Sequence, residues 1–203
     1  HVYILTDDIY EKIIYDDNEF ATLASVVPDL KNRTLTLNGV SKSYCMTGWR
    51  LGYCGAPKEI INGMNKIQSQ SNSSTSSISM AASVEALSGN QDFIVDHNIQ
   101  FKKRRDMVVK KLNEIEGIVC STPPGAFYVY PNCAELMGTK SPNGEVIDSD
   151  EKFMNFLLES EGVAGVQGEA FGLSPYFRLS YATDENTLKD ACTRIARACS
   201  TLT

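Results

Sequence analysis

Apolar and polar positions change rhythm along this chain, and the changes separate strands from helices. The first part carries short, nearly unbroken apolar or β-branched runs bounded by Asp, Asn and Gly, which predict strands over 2–6, 34–38 and 50–55. Runs of this kind fit the interior of a mostly parallel sheet covered by helices. From Pro57 the period lengthens: Ile60, Ile61, Met64 and Ile67 recur on one side of a helix, with proline in its first turn. A second helix spans about 78–89 and ends at Gly89. A third, from about 92 to 115, sets Ile94, Ile99, Phe101, Val108, Val109 and Leu112 on its apolar face, with Gly117 just past its end.

Beyond Gly117 the pattern shortens again, predicting strands near 118–121, 126–131, 163–167 and 176–181 interleaved with helices. The helix near 150–161 buries Phe153, Phe156 and Leu157. The last begins after Thr183, with Asp184 and Glu185 in its first turn and Leu188, Ala191, Cys192, Ile195 and Cys199 at helical spacing. The fold class is therefore α/β, with residues 1–95 in a sheet-based part and 96–203 in an α+β part. Between Ser69 and Ser79, eight of eleven residues are Ser or Thr; composition alone reads this as a flexible linker.

Charge and composition narrow the function classes. A net charge of −6 argues against a nucleic-acid surface, and Lys102-Lys103-Arg104-Arg105 reads as a solvated helix face. The longest apolar runs are strand-sized, so neither a membrane span nor a signal peptide is expected. The six cysteines (45, 54, 120, 133, 192 and 199) form no CxxC pair and no metal-ligand spacing, which fits reduced thiols in a cytoplasm. Asn32-Arg33-Thr34 and Asn72-Ser73-Ser74 match the glycosylation pattern without a secretory context.

The chemistry concentrates between Asn38 and Tyr53. Lys42 follows a β-branched run, sits among small residues, and precedes Arg50 by eight positions. Such a lysine can form a Schiff base with an aldehyde cofactor whose phosphate the arginine holds, which points to pyridoxal 5′-phosphate. Asp7, at the end of the first strand, can pair with a protonated pyridine nitrogen and keep the ring an electron sink. Tyr10 can reach a ring oxygen, and Arg178 can grip a substrate carboxylate with its planar fork. Each residue also has a plainer reading: a solvated lysine, turn acids at Asp7 and Asp8, a salt-bridge Arg50, an outward strand arginine at 178. Trp49 and the run from Gly125 to Tyr130 read as core and pocket wall.

Five motifs in one order, Asp7-x-x-Tyr10, Ser41-Lys42, Met46-Thr47-Gly48-Trp49-Arg50-x-Gly52-Tyr53, Gly125-Ala126-Phe127-Tyr128 and Arg178-Leu179-Ser180-Tyr181-Ala182, resemble the class I aminotransferases of fold type I, in the aspartate aminotransferase group. The resemblance runs to about Ala198. It implies that Lys42 carries the cofactor and moves the substrate proton, with Asp7 facing the pyridine nitrogen and Tyr10 the ring hydroxyl. It also implies Ser41 and Arg50 on the phosphate and Arg178 on the α-carboxylate. Members usually have a further phosphate-binding serine where this chain has Gly39.

The resemblance further implies a homodimer, with the serine-rich stretch an ordered approach to the dimer interface, and amino-acid and 2-oxo-acid substrates. It makes 1–95 the rest of the large cofactor domain and 96–203 the small domain. The chain then looks like the C-terminal half of the enzyme, inactive by itself. The other half would supply the aromatic that stacks on the cofactor and the helix start that cradles its phosphate. No lysine or arginine lies between Lys66 and Lys102, so a distal carboxylate would be read from elsewhere. Pro131-Asn132-Cys133-Ala134 and the stretch from Gly138 to Asp150 resemble the branch that accepts aspartate and, in some members, prephenate. Aspartate with 2-oxoglutarate is the expected pair. The rival readings are another pyridoxal reaction, a carbon–sulfur lyase or a decarboxylase, and a noncatalytic binding module.

Overall fold

A computed structural model describes all 203 residues, which divide into two compact units, His1–Asn98 and Ile99–Thr203.

In the first unit the β-branched and leucine positions of Thr34–Gly39 (β2) form the middle of a three-stranded sheet. Ile4–Asp7 (β1) runs parallel to β2, with Ile4 opposite Thr34 and Asp7 opposite Leu37. Gly52–Gly55 (β3) runs antiparallel, with Gly39 opposite Gly52. The expected first strand thus lies two residues later at its start. The third begins at Gly52 rather than Arg50, because Arg50 adopts a left-handed conformation (φ +52°) that ends any extended run before it. A helical turn, Leu23–Val26 (α1), and a 3-10 turn, Pro28–Arg33, link β1 to β2.

Three helices follow: Lys58–Ser71 (α2), Ser77–Ser88 (α3) and Asp92–Asn113 (α4), the last running into the second unit. The serine-rich stretch is helical at both ends, its first residues forming the last turn of α2 and its last residues the first turn of α3. The apolar side of α2 is not buried: no residue of that helix is, and Ile67 is 72% exposed. In α3, Ser79 and Ser83 face inward while Ile78 and Val84 face out. The core of this unit is small, built on Val40, Tyr44 and Ile94.

The second unit holds the larger core. Tyr128–Val129 (β4), Val166–Gln167 (β5) and Phe177–Ser180 (β6) form an antiparallel sheet in the order β4-β6-β5. The strand expected at 118–121 contracts to a single bridge, Val119 to Asn132. Asp150–Glu161 (α5) starts at Ser149, whose hydroxyl accepts from the Lys152 N–H, and stops at Gly162 in the left-handed region. Glu185–Cys199 (α6) is capped by Asp184, which accepts from the N–H groups of Asn186 and Thr187. Phe153, Leu157, Phe177 and Ile195 are fully enclosed, each contributing on the order of 1.5–3 kcal/mol by leaving water. Phe156, expected in the core, packs at its margin.

The basic cluster is not wholly solvated. Arg105 is 2% exposed and donates from Nη1 to the Pro123 carbonyl at 2.8 Å, its Nε reaching Asp106 at 2.9 Å. At 3.6 residues per turn, four consecutive positions sweep around the whole helix, so one of them must face inward.

Candidate functional site

Strand register decides where the candidate residues go. β1 and β2 are parallel, so the residues after each leave the sheet at the same edge, the carboxyl edge where ligands bind in open α/β sheets. β3 is antiparallel to β2, so the residues before it lie at that edge too. Asp7 ends β1 and Tyr10 lies in the turn that follows, Ser41 and Lys42 come just after β2, and Arg50 comes just before β3. Five of the six candidates therefore converge through register, although up to 43 positions separate Asp7 from Arg50.

The local chemistry is specific. Lys42 Nζ lies 5.9 Å from the centroid of the Tyr10 ring, within range of cation–π attraction. The Asp7 side chain is exposed, and its Oδ1 accepts from the Ile9 N–H at 3.3 Å. Asp8, next to it, is buried, and its N–H ties back to the Leu37 carbonyl at 2.9 Å, a structural task. Ser41 is half-buried in the same turn as Lys42. Arg50 folds onto its own chain, Nη1 donating to the Thr47 carbonyl at 2.6 Å. Two non-glycine residues between β2 and β3, Cys45 and Arg50, have positive φ. Such conformations cost energy and persist where surrounding structure dictates them, often at functional sites.

The lysine loop is anchored from below. Val40 and Tyr44, on either side of Lys42, are buried, and the Cys45 N–H donates to the Lys42 carbonyl at 3.1 Å. The Tyr44 hydroxyl donates to Gln91 Oε1 at 3.0 Å, and the Lys12 ammonium reaches the same oxygen at 3.3 Å. The Gln91 amide nitrogen donates to the Ala86 and Gly89 carbonyls. Sequence reasoning missed this strut: Gln91 is 49 positions from Lys42 and carries no local signal. Gly39 also gains a reason. A Cβ there would lie 3.1 Å from the Leu51 carbonyl oxygen, so glycine lets β2 and β3 close up against each other just before the lysine.

Arg178 belongs to the second unit, on the central strand β6 opposite Val166. Its guanidinium carbon lies 4.5 Å from the Tyr128 ring centroid and 4.3 Å from that of Phe171. Neither ring was a sequence candidate for chemistry. Burial pushes the nearby Tyr130 phenol up; the Asp150 carboxylate adds to the shift, Arg178 opposes it and Tyr176 adds slightly, so the phenol keeps its proton. Burial likewise pushes the thiols of Cys120, Cys133 and Cys199 up to about 12. Buried thiols of this kind are inert rather than nucleophilic.

An aldehyde carrying a phosphate and a basic ring nitrogen fits the donor set at the sheet edge. There an amine stands beside a phenol, with a carboxylate at one strand end and a hydroxyl and a guanidinium at the others.

Comparison with known proteins gives consistent results. The family model described as "Aminotransferase class I and II" matches residues 1–195. A "Probable aspartate/prephenate aminotransferase" of Rhizobium leguminosarum bv. phaseoli is 55% identical over 198 residues, covering 98% of this chain and 50% of the relative. The aspartate/prephenate aminotransferase of Cereibacter sphaeroides is 52% identical over 201 residues, covering 99% of this chain and 50% of its own length. The crystal structure of the aspartate aminotransferase from Rhizobium meliloti superposes with a TM-score of 0.97 at 54% identity, covering all of this chain and 51% of that one. The chain spans about half the length of the curated relatives it matches.

Proposed function

Because the chain belongs to the aminotransferase class I and II family, we propose that it serves pyridoxal-phosphate-dependent transamination, with aspartate as amino donor and 2-oxoglutarate as acceptor, prephenate being a further acceptor. The observation that carries this reading is the strand register that brings Asp7, Tyr10, Ser41, Lys42 and Arg50 to one sheet edge. The relatives' names support the substrate pair. Residues 1–95 are read as part of the large cofactor domain and 96–203 as the small domain.

Pyridoxal phosphate, the cofactor of this family, supplies when bound an electron sink that makes the substrate's α-proton acidic. Lys42 would hold its aldehyde carbon, Asp7 its ring nitrogen, Tyr10 its ring hydroxyl, and Ser41 with Arg50 its phosphate. Once the substrate's amine displaces it, the Lys42 amine would take the α-proton from the substrate and pass it on, as a positioned base and acid. The Asp7 carboxylate, at the end of β1, would keep a proton on the nitrogen it faces. Arg178 binds the α-carboxylate through two parallel N–H donors and so sets which bond at the α-carbon is presented for cleavage.

The protein is further read as a cytoplasmic homodimer. Exposed apolar residues on α2 and α3, Ile67, Ile78 and Val84 among them, support an interface there. All six cysteines are free, and no helix is long and apolar enough to cross a membrane.

The test is to incubate the native protein with pyridoxal phosphate, L-aspartate and 2-oxoglutarate and measure glutamate. Glutamate with matching oxaloacetate supports the reading. Carbon dioxide or sulfide release from amino acids without glutamate assigns another pyridoxal chemistry, and no turnover of any of these assigns a binding role.

A further inference from the structure

The surroundings of Arg178 are more elaborate than a carboxylate-binding arginine requires. Tyr128 lies opposite Ser180 in the β4–β6 register, so it is the diagonal neighbour of Arg178 on the same face of the sheet. Phe171 arrives from elsewhere, at the end of the 3-10 turn Gly168–Phe171. Both rings lie within cation–π range, at 4.5 and 4.3 Å from the guanidinium carbon.

The turn that carries Phe171 is held in turn. The Tyr130 hydroxyl lies 3.0 Å from the Gly168 carbonyl oxygen and 3.1 Å from that of Leu173, so one proton is shared between the two ends of the turn. The Tyr130 ring meets Phe171 edge-on, centroids 6.1 Å apart, and stacks on Tyr176 at 5.3 Å. The Gly168 N–H donates to the Tyr176 carbonyl at 2.7 Å, two residues before Arg178. Phe171 is thereby fixed to the strand that bears the arginine.

A guanidinium is planar, with its five donors in the plane. Rings over its π surface leave the in-plane edge for hydrogen bonding and restrict the rotamers of a long side chain, which lowers the ordering cost of capturing a carboxylate. We propose that Tyr128 and Phe171 are positioning residues that bracket the Arg178 guanidinium for in-plane, bidentate capture of a substrate carboxylate, with the Tyr130 hydroxyl strapping down the turn that carries Phe171. The identity of that carboxylate, the α-carboxylate of an amino or 2-oxo acid, rests on the transaminase reading.

The experiment compares Tyr128→Leu and Phe171→Leu with the ring-preserving Tyr128→Phe and Phe171→Tyr, each in the wild-type and Arg178→Ala backgrounds of the native protein. Steady-state KM for aspartate and 2-oxoglutarate is read alongside the thermal stabilisation given by 2-oxoglutarate, which needs no turnover. The leucine variants raise KM for both substrates about three- to thirtyfold, change kcat less than about twofold, and shrink the melting shift. The ring-preserving variants retain wild-type KM, and in the Arg178→Ala background the leucines cost nothing further.

Wild-type KM and melting shift in the leucine variants overturn the bracket, as does an undiminished leucine penalty without Arg178. If the wild type makes no glutamate, the transaminase reading fails, and the 2-oxoglutarate melting shift still decides the bracket: reduced by the leucines it stands, unchanged or absent in the wild type it falls.

Discussion

Replacing Gly168 by alanine places a Cβ 2.1 Å from the Leu173 carbonyl oxygen, 2.7 Å from that of Tyr176 and 2.9 Å from the Tyr130 hydroxyl. Ordinary contact begins at 3.4 Å, so the Leu173 carbonyl alone must retreat by about 1.3 Å. Two of the three atoms are backbone, and both lie in the segment that joins the turn bearing Phe171 to β6, so no side-chain rotation relieves the clash. Overpacking of this severity costs on the order of 1–3 kcal/mol, and the displaced turn also strains the hydrogen bonds of the Tyr130 hydroxyl, so about 2–3 kcal/mol is expected. At about 2–4 °C per kcal/mol for a chain of this length, the melting temperature falls by roughly 4–12 °C. Gly63, in the middle of α2 with open space around it, is the control. Alanine there removes a helix-breaking cost of about 0.5–1 kcal/mol and leaves melting unchanged or higher. Thermal unfolding of the two variants against wild type, with 2-oxoglutarate KM measured on each, is the assay. G168A melting with wild type at an unchanged KM would refute the claim that this turn is locked against β6.

Arg178→Lys keeps the charge and loses the fork; kcat/KM should fall about tenfold or more for aspartate and for an aromatic amino acid alike, and a loss confined to one substrate would reassign the residue to side-chain recognition. Asp7→Ala should leave cofactor bound, by its visible absorbance, yet slow turnover by on the order of 10²–10³-fold, as removal of a preorganised charge does; near-normal turnover removes Asp7 from the mechanism. Iodoacetamide at pH 8 should modify Cys45 and Cys54 well before Cys120, Cys133, Cys192 and Cys199, read by peptide mass mapping. The folded chain keeps protons on its buried thiols, held near 12, where the unfolded chain has lost them from about 9. That contribution to stability is therefore full below pH 9 and lost as pH rises from 9 toward 12; a urea midpoint independent of pH across that window would contradict it.

Much of this was legible in the residues. Helix α5 runs Asp150–Glu161 because Ser149, the apolar positions Phe153 and Leu157, and Gly162 are all local signals that agree. The candidacy of Asp7 and Lys42 was legible because each follows a strand-like run, and that of Arg50 because it precedes the next one. What escaped was set by contacts distant in sequence or by backbone strain. The left-handed Arg50 shortened β3, and nothing in Lys102-Lys103-Arg104-Arg105 said which residue would turn inward to Pro123. Gln91 beneath the lysine loop and Phe171 against Arg178 act across 49 and 7 positions, through turns whose paths no periodicity encodes. The exposed stripe of α2 carried an amphipathic signal that its own unit leaves uncovered.

The central claim is that Lys42 is the residue through which this chain holds pyridoxal phosphate. Reducing the native, cofactor-loaded protein with borohydride, digesting it and mapping the pyridoxyl-modified peptide tests this directly. The account predicts a single modification on Lys42, absent in Lys42→Ala. A modification at another lysine, or one that persists in Lys42→Ala, would contradict it.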